Sequence, residues 1–219
     1  MTETGFIKRF FGVLNPEKAG FCVIGGLAAL ILLLWAPSFA QKDFKNPGRD
    51  KRLEAVKKSG ETGAPGALKF LKEAANDEDP YVRGQALKTI GALKSGESLA
   101  ILAAALKSGD ANTRYGAVEG LEALGGIKAV GLLINLLEHK DRNTRWKAVI
   151  ALGNLKNDRA VEPLLKTARG EKDEYVKIAA VESLGKIGTK KAGAALNELK
   201  AGKDKKMAGW AGNVLKSLP

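Results

Sequence analysis

Asp79, Asp110, Asp141, Asp173 and Asp204 recur along the 219-residue chain at intervals of 31, 31, 32 and 31. Four positions after each of the first four stands a base: Arg83, Arg114, Arg145 and Lys177. An earlier copy has Arg52 with Gly48 in the acid's place, and the last copy has Ala208 in the base's place. A carboxylate and a cation that recur as a unit suit a structural ladder. The acid caps a helix, and the base reaches the capping Asp of its own or of the neighbouring copy. A stripe that binds phosphate or an acidic protein is the other use of the same cations.

Residue types that carry catalysis are scarce. With one His and one Cys, the chain lacks the means for an internal disulfide framework, a structural zinc site, a catalytic triad or covalently attached haem. His139 ends a helix with no partner for catalysis. There is no carboxylate pair, glycine-rich phosphate loop or nucleophile with a base. The chain is therefore read as a non-enzyme with no cofactor and no metal.

The elements that hold the ladder follow from the same period. Ala55, Ala86, Ala117, Ala148, Ala180 and Ala211 form one column, and Ile90, Leu121, Leu152, Leu184 and Leu215 another. Within a copy the apolar positions fall three or four apart, as Val82, Ala86, Leu87, Ile90 and Leu93 do, which is the face of one helix. A second helix follows a glycine-containing break, with columns through Leu68, Leu99, Val130, Val161 and Ala192 and through Leu71, Leu102, Leu133, Leu164 and Ala195. A fixed period in this range predicts a solenoid of helical hairpins. The fold class is all-α: about five hairpins plus a terminal helix at 204–218, preceded by one N-terminal transmembrane helix.

The pattern D-x-x-V-R-x-x-A-x-x-A-L-G followed by a Leu-rich second helix resembles short HEAT-like repeats of the bilin-lyase type over roughly residues 48–219. The resemblance implies a superhelix of stacked hairpins. Repeats of this kind serve chromophore lyases, regulatory modules and scaffolds, so the resemblance bears on architecture more than on activity.

Two surfaces are candidate partner sites. The turns inside hairpins are basic, with Lys94, Lys128, Lys156, Arg159, Lys190 and Lys191 among their residues, whereas the turns between hairpins carry the acids mixed with Lys. A solenoid places the first set along one edge, fit for anionic lipid or an acidic protein. Most of the +12 net charge lies in the repeats. The second candidate is an apolar strip of Tyr115, Trp146 and Ile178 in one column, with Trp210 one step further round the last helix. The second helices mix charges (Lys69, Lys72, Glu73, Glu138, Glu162, Lys166), so no uniform groove for nucleic acid is expected.

The N-terminus is of another kind. Residues 1–19 form a basic and aromatic tail that includes Phe10 and Phe11, and residues 20–40 carry no charge and include Phe21, Cys22 and Trp35. A helix of about 20 such residues spans a bilayer core roughly 30 Å thick. Retention as a signal anchor is expected. Cleavage after Ser38-Phe39-Ala40 is the alternative. Residues 41–47 are a linker and 48–219 the repeat domain. The basic flanks on both sides leave the orientation open, and the exported side of the inner membrane is the preferred reading. The tail and apolar run resemble the anchor of membrane-bound multihaem quinol dehydrogenases through Lys8-Arg9-Phe10-Phe11, Pro16 and Trp35, but that family's haem motifs are missing. The function expected from the whole is a membrane-anchored scaffold or accessory subunit, binding protein partners in a membrane respiratory or electron-transfer complex. Alternatives are a soluble exported repeat protein, a bilin-lyase-like chaperone and a basic nucleic-acid-binding solenoid.

Overall fold

A computed structural model describes residues 48–218. They form eleven α-helices with no strand. In order these are α1 Arg49–Thr62, α2 Ala67–Ala74, α3 Pro80–Ala92, α4 Ser98–Ala105, α5 Ala111–Leu124, α6 Gly126–Asn135, α7 Arg142–Leu155, α8 Val161–Gly170, α9 Glu174–Ile187, α10 Lys190–Lys200 and α11 Lys205–Ser217. Five hairpins pair each odd helix with the even one after it, and α11 closes the array alone. The predicted membrane segment at 20–40 lies outside the described residues. None of the described helices is long and apolar enough to cross a membrane.

The helices start where the recurring acids stand. Asp79 accepts the N–H groups of Tyr81 and Val82, with Pro80 at the first helical position. Asp110, Asp141 and Asp173 accept from Thr113, Thr144 and Val176, and Asp204 from Lys206 and Met207. Each bond satisfies one or more of the amides that a helix start leaves unpaired. Gly48 caps α1 with no side-chain bond. The alanine column of the first helices is buried throughout, as are Leu71, Leu102, Leu133, Leu164 and Ala195 of the second helices. Ile90, Leu121, Leu152 and Leu184 are fully enclosed. Leu215, the last of that column, is only half-buried because α11 has no second helix to cover it.

Consecutive first helices pack through a column of small residues. A Cβ on Gly91 would strike the carbonyl oxygen of Gly120, and one on Gly116 would strike the backbone of Gly84, so α3 and α5 meet backbone to backbone. Gly60 meets Thr89, Gly153 lies where a Cβ would fall 2.7 Å from that of Ser183, and Gly185 meets Val214. The column Gly60, Gly91, Gly153, Gly185 is interrupted by Glu122. At that junction α5 and α7 approach less closely than α3 and α5 do. Polar links span the gap: Lys147 Nζ lies 2.7 Å from Glu119, and Asn154 donates to Glu122 over 2.9 Å.

Candidate functional site

The ladder is an assembly of side chains at each inter-hairpin turn. Arg83 Nη1 donates to the carbonyls of Asp77 and Glu78, Arg114 to those of Ser108 and Gly109, and Arg145 to those of His139 and Lys140. Each guanidinium thus ties down the turn before its own helix, and its far side crosses to the next repeat. Arg83 pairs with Asp110 at 3.0 Å and Arg114 with Asp141 at 3.4 Å. Their Nε atoms donate to Thr113 and Thr144, whose hydroxyls in turn donate to the same aspartates over 2.6 Å.

Two rungs differ from the expected register. Arg52 binds Asp77 through two bonds of 3.0 and 3.1 Å, and Arg145 binds Glu171 through two of 2.7 and 2.9 Å. The acceptor is the residue two before the capping Asp, a column of Asp77, Ser108, His139 and Glu171. In all four copies its side chain accepts the N–H of the capping Asp. Where it is acidic it takes the incoming guanidinium. Where it is Ser or His, the guanidinium goes to the capping Asp. His139 therefore belongs to the ladder, accepting the Asp141 N–H through Nδ1 over 3.0 Å. Lys177 has no planar fork, and it forms no ion pair among the described residues. Asp173 pairs instead with Arg142 at 3.5 Å.

These contacts set the carboxylate chemistry. The Thr113 hydroxyl does most to hold the Asp110 carboxyl at about 2; burial opposes it, and the Thr113 N–H and Arg83 add to it. Asp141 is held at about 2 in the same way, first by the Thr144 hydroxyl. Burial pushes Glu171 up, but Arg145 and the N–H groups of Asp173 and Lys172 outweigh it, and its net shift is downward.

The opposite edge, made of the turns inside hairpins, is arranged differently. Lys94, Lys128, Lys156, Arg159, Lys190 and Lys191 are all exposed, and their side chains pair with no described residue. The few acids there are engaged in part: Glu97 with Lys72, Glu122 with Asn154 and Asp158 with Thr189. The inter-hairpin edge also exposes lysines (Lys107, Lys140, Lys172, Lys203), but they alternate with the carboxylates of the ladder and with Glu78 and Glu174. The two edges thus differ in how far acids offset the cations. Lys94 and Lys156 also have backbone φ of 51° and 50°. They share a column with Gly63, Gly125 and Gly188, which also have positive φ.

The aromatic column is not a continuous strip. Trp146 is 40% exposed, whereas Tyr115, Ile178 and Trp210 are half-buried. Tyr115 is drawn into the ladder, its hydroxyl donating to Asp141 over 3.3 Å and Lys147 lying 5.4 Å from its ring centre. Trp146 and Ile150 border an open groove of about 420 Å³ with Glu119 and Glu122, at the junction where the glycine column is interrupted. Tyr81 and Tyr175, which sequence reasoning passed over, are 63% and 69% exposed, beneath Arg49 and Arg142 of the preceding repeat. A second groove, of about 890 Å³, opens between α6 and α8, with Ile134, Leu137 and Pro163 lining it beside Glu138 and Lys166. Phe10, Phe11, Phe21, Cys22 and Trp35 lie outside the described residues. Among the described residues no group of three His, Cys, Asp or Glu side chains is placed to hold a metal ion.

Stacked hairpins with one edge of ion pairs and open grooves between helices define an α-solenoid of the interaction type. The model of HEAT repeats matches residues 43–122, 100–185 and 130–216, and the chain belongs to the HEAT-repeat family. A comparison with curated proteins gives no match. Among solved structures, the complex of CpcE and CpcF of phycocyanin lyase from Nostoc sp. PCC7120 is similar at a TM-score of 0.54 and 20% identity, covering 94% of this chain and 80% of that one. A designed armadillo repeat protein in complex with the peptide (KR)4 gives 0.52 and 17%, covering 82% and 98%. An engineered protein gives 0.50 and 19%, covering 82% and 94%. At these identities the likeness is one of fold.

Proposed function

We propose that the chain is a membrane-tethered HEAT-repeat scaffold that binds a protein partner, acting as an accessory subunit of a membrane respiratory or electron-transfer complex and performing no catalysis itself. The observation that carries this reading is the groove at the α5–α7 junction, where Trp146 stands exposed beside Ile150 at a place in the layer of first helices that lacks the glycine contact. A rigid aromatic at the lip of a groove is the usual anchor of a protein contact. The peptide held by the designed armadillo protein supports the use of such solenoids as polypeptide readers. The tether and the complex rest on the apolar run at 20–40 and on the anchor resemblance, with the repeats placed on the exported side of the inner membrane.

Co-purification of the tagged full chain from native membranes tests this. A partner should copurify with the wild type and be lost with Trp146→Ala at unchanged circular dichroism. A monodisperse, partner-free chain from native membranes would overturn the reading. Protease protection of residues 48–219 in sealed vesicles reports the side on which they lie. A second reading, a lyase or chaperone for a bilin-bearing protein, is supported by the likeness to the CpcE–CpcF complex. It predicts a coloured complex on co-expression with a bilin and its acceptor protein.

A further inference from the structure

The turns inside the hairpins hold an anomaly of backbone and charge together. At one position of each turn the chain takes a positive φ. Three copies use glycine there (Gly63, Gly125, Gly188), and two use lysine, Lys94 and Lys156. Positive φ pushes the Cβ of an L-residue toward its own backbone, which is why glycine is the ordinary choice. The N–H groups of the two lysines close their helix ends on the carbonyls of Gly91 and Gly153, but their side chains are exposed and pair with no described residue, so no side-chain contact within the solenoid offsets the strain. Strain kept where an unstrained residue stands in the sister repeats points to a role outside the fold.

We infer that Lys94, Lys128, Lys156, Arg159, Lys190 and Lys191 form a rigid row of cations that docks an acidic segment of a protein partner. Successive hairpins stack at roughly 8–10 Å, so four turns present cations over about 30 Å, the length of some nine extended residues. The structure also bears on which anionic surface the row meets. This step rests on the membrane tether proposed above. The chain enters the solenoid at Gly48, on the inter-hairpin edge. The row lies at the other end of the 14-residue α1, about 21 Å away. The eight steps from Ala40 to Gly48 reach about 28 Å at most when fully extended. Laying the whole row on the bilayer would draw the linker out to about three quarters of that reach, whereas a segment of a neighbouring protein demands no such extension and is the better fit. The inter-hairpin edge, with carboxylates between its lysines, would repel such a segment.

The test uses the full chain in detergent micelles and a labelled 18-residue peptide with glutamate at every third position. The wild type should bind the peptide with an affinity that falls steeply with salt. The double variant Lys94→Gly/Lys156→Gly should bind about tenfold more weakly while melting at a higher temperature. Lys94→Arg/Lys156→Arg should restore binding without the gain in melting temperature. Equal binding by wild type and glycine variant would overturn the proposal. A second arm places the chain in nanodiscs of neutral or of anionic phosphatidylglycerol lipid and follows acylation of Lys94 and Lys156 by mass spectrometry. Equal labelling in both discs is expected, and protection in anionic discs alone would overturn the proposal in favour of lipid. A chain that fails to enter the discs would refute the tether alone, with the peptide arm still deciding the docking row.

Discussion

Gly91 and Gly193 show how far one residue type can differ in what it does. A Cβ at position 91 would meet the Gly120 carbonyl, which belongs to backbone and cannot step aside, while at position 193 nothing lies within 4 Å. Gly91→Ala should therefore destabilise the protein by about 2–4 kcal/mol, since α3 and α5 must separate. Gly193→Ala, inside α10, should stabilise it by about 0.5–1 kcal/mol through helix propensity alone. Urea denaturation of the two variants checks both signs. The glycine column was visible in the sequence only as the final G of the A-L-G pattern, and Glu122 hides it in one copy. Nothing in composition says that a helix will touch its neighbour at that point. The capping aspartates were easier to read, because an acid at a helix start has a local reason to be there.

The same aspartates give a pH dependence. Asp110 and Asp141 titrate at about 2 in the fold against an ordinary value of 3.8. Their carboxylates thus support the native state in full above about pH 4, and that support disappears as pH falls through the folded value of about 2. Asp141→Asn keeps a capping oxygen but loses the charge on which Arg114 and Tyr115 converge. Its stability should be lower at neutral pH and flatter between pH 4 and pH 2 than that of the wild type, as measured by urea unfolding across that range.

Helices in this molecule are joined by a guanidinium that serves two neighbours at once. Arg114 is buried, holds the turn before α5 through two carbonyls and crosses to Asp141 and Thr144 at the start of α7. Removing it strands all of these acceptors, so Arg114→Ala should cost about 2–4 kcal/mol. Lys177→Ala, at the matching position of α9 with no ion pair among the described residues, should cost less than about 0.5 kcal/mol. Thermal melts of the pair test whether the column is a ladder of guanidinium forks or only a stripe of charge. The recurrence of acid with base made the ladder legible. The switch of acceptor to Asp77 and Glu171 was not, since it depends on a second column, Asp77, Ser108, His139 and Glu171, whose chemistry varies from copy to copy. Only the common task of accepting the capping N–H unites those four residues, and that task is set by turn geometry.

At the scale of the whole array, stability is a chain of neighbour-to-neighbour couplings. Backbone contact at glycine reinforces the α3–α5 junction, and Gly153 with Ser183 reinforces α7–α9, where Ser183 also donates to the Val149 carbonyl over 3.0 Å. Between α5 and α7 the glycine is replaced by Glu122, and the bonds that remain are polar: Arg114 and Tyr115 to Asp141, Lys147 to Glu119, Asn154 to Glu122. Burial pushes Glu119 up, but Lys147 and Lys88 bring it below the usual carboxylate range, so this junction has ionised acids where the α3–α5 and α7–α9 junctions have glycine contacts in addition to theirs. Acid should therefore divide the solenoid at its middle before it frays the ends. Hydrogen exchange followed by mass spectrometry at stepwise lower pH should show amides of α5 and α7 losing protection together between about pH 4 and pH 2, with α3 and α9 holding longer. Unfolding in urea should pass from one transition at neutral pH to two near pH 3, one for each half. Loss of protection advancing inward from α1 and α11 would show that the glycine contacts do not govern the coupling. The groove that exposes Trp146 lies at this same junction without the glycine contact, so a partner that fills it should bridge the two halves and restore a single transition.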